Sequence, residues 1–255
     1  MSQDPENLAE GTLISHLLEL RDRIIRAMIA VALAFVPCMI YSKQLFTFIA
    51  TPLEQKLPKG TQLIATTVMS PFTTPFKLSF FVAVFLAMPF IIYQAWAFVA
   101  PGLYRHEKRF ALPLLISSII LFYIGVVFAY FFVFPVMFDF FASVTPKGVA
   151  MMTDISAYLD FVLTMFLAFG AAFEVPVAVV LLVLTGVVRL EKLKENRGYV
   201  LIAIFVIAAF LTPPDAVSQC IMAIPMYALY EGGILMARAL SKMRRESTDH
   251  EQAQA

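Results

Sequence analysis

The sequence predicts an all-α polytopic membrane protein with six spanning helices, and two observations predict it. Of 255 residues, 60% are hydrophobic and only 15% are Asp, Glu, Lys or Arg; the mean hydropathy is +0.82. A globular chain carries about 25% charged residues, and a soluble domain has no interior large enough to hide this much apolar surface. The apolar residues also fall into long runs separated by polar connectors, and a helix needs about 20 residues to cross roughly 30 Å of hydrocarbon.

The first run, 24–41, follows a polar leader. It is longer than a signal-peptide core and lacks a small-x-small cleavage site, so it is read as a retained span. The second and third runs are 78–99 and 110–136. The fourth, 161–188, contains Pro176. The fifth, 199–212, reads YVLIAIFVIAAFLT and reaches about 21 Å at 1.5 Å per residue. The turn TPPD, Thr212 to Asp215, follows at once, and the sixth run, 217–240, carries Gln219 early. This pair is expected to form a hairpin shorter than the bilayer, which leaves polar groups at depth or thins the membrane. One transmembrane domain, 1–240, and a cytoplasmic polar tail, 241–255, are expected, with the last residues STDHEQAQA (247–255) read as disordered.

Basic residues set the orientation. Arg21, Arg23 and Arg26 precede or open the first span. Arg105, Lys108 and Arg109 lie between the second and third. Arg189, Lys192, Lys194 and Arg197 lie between the fourth and fifth, and Arg238, Lys242, Arg244 and Arg245 close the sixth. The opposite side holds Lys43, Lys56, Lys59, Lys77 and Lys147. The positive-inside bias places both termini in the cytoplasm. The outer connectors, 42–77 and 137–160, are long; the first is rich in Pro and Thr and the second holds TPKG and an amphipathic DISAYLDF. A cap over the outer face and plain connectors both remain open for them.

Familiar chemistry is missing. There is no G-x-x-x-x-G-K-[ST] for phosphates, no G-x-S-x-G and no H-E-x-x-H. His16, His106 and His250 lack metal-ligand spacing, and Cys38 and Cys220 fall in apolar runs rather than in a disulfide framework. No enzyme activity, cofactor, metal or nucleic-acid partner is expected.

The acids are more informative. In SHLLELRDR, Glu19 precedes Arg23 by four residues, and Asp22 precedes Arg26 by four. Taken alone these are helix-surface bridges worth about 0.2–0.5 kcal/mol each. Glu107, in PGLYRHEKR, taken alone is a solvated loop acid. The topology puts Glu19 and Glu107 on one cytoplasmic surface, each flanked by cations that favour its charged form. Two such carboxylates suit two guanidinium groups, and hence a peptide with paired arginines. Glu174, in FGAAFEVPVAVV, lies near mid-membrane, where a charged residue costs at least about 2.5–3.5 kcal/mol on insertion scales. Pro176 loosens the helix beside it. Glu231 is read as structural, pairing with Arg238 or snorkelling. Thr212 and Gln219 are polar groups at depth, available to an incoming helix or to one another.

The segments HLLELRDR (16–23), SPF with TP (70–75), YQAWAFVAPGLYRHEKR (93–109), FGAAFEVPV (169–177) and LTPPDAVSQCIMAIPMYALYE (211–231) resemble the TatC family, the multi-spanning component of the twin-arginine protein translocase. The resemblance covers nearly the whole chain and looks proteobacterial. It implies a concave, glove-like arrangement of six helices with the fifth and sixth short, and an oligomeric complex in the bacterial cytoplasmic (inner) membrane. It implies that Glu19 and Glu107 contact the twin arginines of a signal peptide, with Arg21 and Phe98 in the same recognition region. It assigns Glu174 to the concave face, Thr212 and Gln219 to docking of the single-span partners TatA and TatB, and Pro52 to a functional position in the first outer loop. Export of folded proteins driven by the proton motive force is implied as well. Lys108 stands where many relatives have arginine, and Thr67 where close relatives have an acid. Without the resemblance, a proton-coupled secondary transporter using Glu174 is the favoured reading, though it predicts internal repeats that the sequence lacks. An intramembrane enzyme would need a second catalytic group at the depth of Glu174.

Overall fold

The computed structural model describes residues 5–54, 64–99, 108–146, 152–212 and 215–253, with side chains at these positions except 5–13, 51–54, 99, 108–111 and 243–253. Among them the backbone is almost entirely helical: α1 (Pro5–Ile40), α2 (Ser42–Glu54), α3 (Ser70–Val99), α4 (Lys108–Phe128), a π-helical turn (Ala129–Val133), α5 (Phe134–Val144), α6 (Ile155–Phe173), α7 (Val175–Leu184), α8 (Leu190–Glu195), α9 (Arg197–Leu211) and α10 (Ala216–Ala253). Five stretches are long and apolar enough to cross a membrane: 14–40, 70–98, 112–144, 155–184 and 216–242. With the shorter apolar α9, this matches the expected six.

The chain divides into two compact units, Met1–Phe46 with Pro75–Leu115, and Thr47–Thr74 with Ile116–Ala255. In the first, α1 presents Ile24, Ile25, Met28, Ile29, Leu33, Val36 and Ile40 to the outside. A stripe this long and bare belongs against lipid. Near the end of α1, where carbonyls lose their helical partners, the buried Ser79 hydroxyl donates to the Cys38 carbonyl at 3.2 Å and to the Pro75 carbonyl at 2.8 Å. Cys38 and Cys220 are both free thiols.

In the second unit, an aromatic core forms around Phe134, which packs on Phe138, Phe161 and Phe166 at ring separations of 5.2–6.3 Å. The π turn precedes Pro135, which has no N–H to give; the Phe134 N–H bonds instead to the Ala129 carbonyl, five residues back. Tyr158 and Tyr130 donate their hydroxyls to the Ile49 and Phe48 carbonyls at 2.7 and 3.0 Å. These bonds hold the later turns of α2 against the bundle.

Glycines permit the closest approaches. A Cβ on Gly125 would lie 2.5 Å from the Phe169 carbonyl oxygen, and one on Gly233 would lie 2.8 Å from Pro176 Cα. The helices α4 and α6, and α7 and α10, therefore touch backbone to backbone, as small residues allow in membranes. Pro176 faces Gly233, while Val183 and Gly186 line one pocket with Arg238 and Ser241. So α7 and α10 run parallel. The return between them falls to α9, whose 15 residues extend about 22 Å.

The short member of the expected hairpin is α9 alone. Its partner α10 runs 38 residues, through the segment expected to be a disordered tail, because nothing from Arg238 to Ala253 breaks a helix: no Gly or Pro occurs there. The third and fourth spans also extend further toward the outer connector than hydropathy predicts, to Val144 and from Ile155.

That connector is tied down. Ile64 forms an isolated parallel bridge with Asp154, with Ile64 N–H to Thr153 O at 3.0 Å and Ile155 N–H to Ile64 O at 2.9 Å. The Asp154 carboxylate caps α6, accepting from the Ser156 and Ala157 amides, and also accepts from the Thr66 amide at 2.9 Å and from its hydroxyl. These bonds, the Thr66 hydroxyl foremost, hold the Asp154 pKa down at about 2. Hydroxyls of Thr67, Ser70, Ser156 and Thr74 continue the link at 2.7–3.1 Å.

Candidate functional site

In the first unit, the start of the apolar part of α1 meets the end of α3. Their side chains build a small polar cluster around Glu19. Arg23, one turn later on α1, donates through Nε to Glu19 Oε1 at 2.9 Å, and its Nη2 also reaches that oxygen. The same guanidinium donates to the Ala97 carbonyl at 3.0 Å and to Gln94 Oε1 at 3.3 Å. Gln94 is buried and Arg23 largely so, with 19% side-chain exposure against 36% for Glu19. The i,i+4 bridge foreseen from sequence is therefore present, but it serves as a tie between helices. Glu19 Oε2 faces the His16 Nδ1 at 3.8 Å, and the His16 ring stacks on Phe98 with centroids 4.1 Å apart and planes at 17°.

Glu19 thus presents one oxygen held by Arg23 and another turned toward an exposed imidazole that rests on Phe98. Arg21, exposed on the adjoining face, forks onto Asp22 Oδ1 at 3.0 and 2.8 Å. Glu107 lies outside the described residues. His16 and Gln94 are participants that sequence reasoning did not single out. Each lies within a segment quoted for the resemblance, but only the contact across two helices distinguishes it from its neighbours there.

In the second unit, Glu174 occupies the break between α6 and α7. Pro176 near the start of α7 cannot donate back along the helix, so the Glu174 N–H turns to the Ala171 and Ala172 carbonyls and α6 ends there. Ser118 on α4 hydrogen-bonds to its carboxyl group, and Oε1 is left buried with no partner. An unpaired carboxyl oxygen in the interior is costly.

Thr212, at the end of α9, is buried and donates its hydroxyl to the Ala208 carbonyl at 2.9 Å. Gln219 is half-buried in the first turn of α10. Asp215 caps that helix by accepting from the Ser218 amide at 2.7 Å, and this bond holds its carboxyl below the ordinary range. Pro52 lies in α2, with its side chain outside those described. Glu231 pairs with Arg197 at 2.7 Å and accepts from the Tyr227 hydroxyl at 3.0 Å. The expected Arg238 partner is replaced because α9 and α10 pack side by side and bring Arg197 to the same level.

A bundle of apolar spans, a broken helix bearing an unpaired acid and a carboxylate cluster at a helix end define a polytopic membrane protein built around intramembrane and interfacial polar sites. Residues 15–225 match the family described as Sec-independent protein translocase protein (TatC), and the chain belongs to that family. Among similar proteins, the TatC of Azotobacter chroococcum is 52% identical over 92% of both chains, and that of Escherichia coli K12 is 50% identical over 89% of this chain and 88% of its own. A crystal structure of a TatC described as a twin arginine translocase receptor superposes with a TM-score of 0.80 at 36% identity, covering 89% of this chain and 99% of that one. The protein is thus a membrane-spanning component of a Sec-independent protein translocase.

Proposed function

We propose that this chain is the signal-peptide receptor and core subunit of a twin-arginine translocase in the bacterial cytoplasmic membrane, with both termini cytoplasmic. The observation that carries the reading is the Glu19 cluster. A half-exposed carboxylate is oriented by an arginine that also grips the neighbouring helix, and it is flanked by an aromatic shelf. A ligand guanidinium takes Glu19 Oε2, the oxygen that Arg23 leaves open, and lies beside the Phe98 face. Glu107 receives the second arginine of the pair. Arg21 belongs to the same recognition surface. In support, the solved relative is described as a twin-arginine translocase receptor.

The apolar part of the signal then inserts near Glu174. The single-span partners TatA and TatB dock their helices at Thr212 and Gln219, beside the short α9, where the bilayer is thinned. The proton motive force drives the passage of folded cargo, and Pro52 supports the outer side of an oligomeric complex.

The test is charge reversal. Glu19→Lys and Glu107→Lys should each abolish export of a folded reporter behind a twin-arginine signal and lose photocrosslinking of that signal, while crosslinking from position 219 still captures a single-span partner. Normal export by either variant would sink the assigned contact.

A further inference from the structure

Beyond the acidic sites, the second unit holds a basic cavity of about 510 Å³ between the end of α7 and residues 238–242 of α10, a size typical of small-molecule sites. Gly186, at φ 72°, turns the chain out of α7. The extended Arg189 then starts α8, so residues 189–194 fold back beside the last apolar turn of α10. Arg189, Lys194, Arg238 and Lys242 line the cavity, with Glu191 as the one acid among its lining residues. Among the described residues, Arg189, Lys194 and Arg238 have no carboxylate within salt-bridge distance. Arg189, Lys194 and Arg238 around one cavity with a single acid in its lining repel one another unless a further anion sits among them.

The cavity lies where apolar sequence gives way to charge, after Leu184 in α7 and around Leu240 in α10, which places it at the membrane boundary. Val183 and Val188 form its apolar wall, and neighbouring Val187 is 72% exposed. We infer that this cavity binds the phosphodiester head group of an anionic phospholipid, with the acyl chains descending along the exposed apolar ends of the helices. Arginine forks suit phosphate oxygens, and basic pockets between spanning helices are suited to such head groups. A free phosphate would gain nothing from the apolar wall, and a basic peptide would be repelled.

The test uses the full chain in detergent, with native mass spectrometry reading bound lipid. Phosphatidylglycerol should remain bound, phosphatidylcholine should not, and millimolar inorganic phosphate should fail to displace the lipid. Arg189→Gln with Arg238→Gln should weaken phosphatidylglycerol binding roughly thirtyfold, about fivefold per cation removed. Lys43→Gln with Lys77→Gln, which are not among the lining residues, should leave it unchanged. Ser241→Trp keeps every charge and fills the cavity, so it must also lose the lipid even if the double variant misfolds. Equal lipid retention by the filled or the neutralised cavity overturns the proposal. Displacement by inorganic phosphate overturns the lipid assignment and leaves a phosphate site.

Discussion

Arg23 Nε holds Glu19 Oε1 at 2.9 Å while Nη2 of the same guanidinium, which also reaches that oxygen, holds the Ala97 carbonyl at 3.0 Å. One side chain thereby orients a carboxylate on α1 and fastens α1 to the end of α3. Lysine has one donor centre and cannot span both. Arg23→Lys should cost about 1–3 kcal/mol of stability, read as a lower thermal midpoint in detergent. It should also weaken binding of a twin-arginine peptide although Glu19 is intact. An unchanged midpoint would show that the tie to Ala97 contributes nothing.

The neighbouring glycines of α10 separate packing from propensity. Gly232 has nothing within 4 Å of an added Cβ, whereas Gly233 meets Pro176 Cα at 2.8 Å. Gly232→Ala should be neutral or gain up to about 1 kcal/mol from helix propensity. Gly233→Ala should lose about 1–3 kcal/mol as α10 is pushed off α7. Thermal unfolding of the two variants side by side checks this, and equal midpoints would contradict the close approach.

Glu174 makes a third case. Its Oε1 is buried without a partner, and Ser118 on α4 is the bond its carboxyl group makes to a neighbouring helix. Glu174→Gln should leave the thermal midpoint unchanged or raise it, since a neutral amide is cheaper to bury. Export should fall at least severalfold if the acid serves translocation. A large loss of stability would show that the carboxylate is structural after all.

The outer tether has a pH signature. Asp154 titrates at about 2 when folded, against 3.8 ordinarily. Its contribution is therefore complete above 3.8 and is lost as pH falls through about 2. Amide exchange at Thr66, Ser156 and Ala157, corrected for intrinsic rates, should accelerate over that interval. In Asp154→Ala the same amides should already exchange fast at neutral pH. Protection that survives the substitution would mean the backbone bridge to Ile64 holds the connector unaided.

Much of the fold was legible because its signals are local. Hydropathy places the spans, Pro176 places the break at Glu174, and Asp154 and Asp215 stand as acids before helix starts. The Glu19–Arg23 bridge follows from i,i+4 spacing. Other features depend on which helices meet, and no window of sequence carries that. Arg197 rather than Arg238 partners Glu231 because α9 packs on α10. His16 and Gln94 join the Glu19 cluster because α1 meets α3.

The order of residues along the chain settles the class, the spans, the asymmetry of basic charge and the short α9, because the cost of polar groups in hydrocarbon acts residue by residue. It leaves open which oxygen of Glu19 is free, that Glu174 keeps one oxygen unpaired, and that four cations from two distant segments share one cavity. These are facts about distances between segments far apart in sequence, and only packing sets such distances.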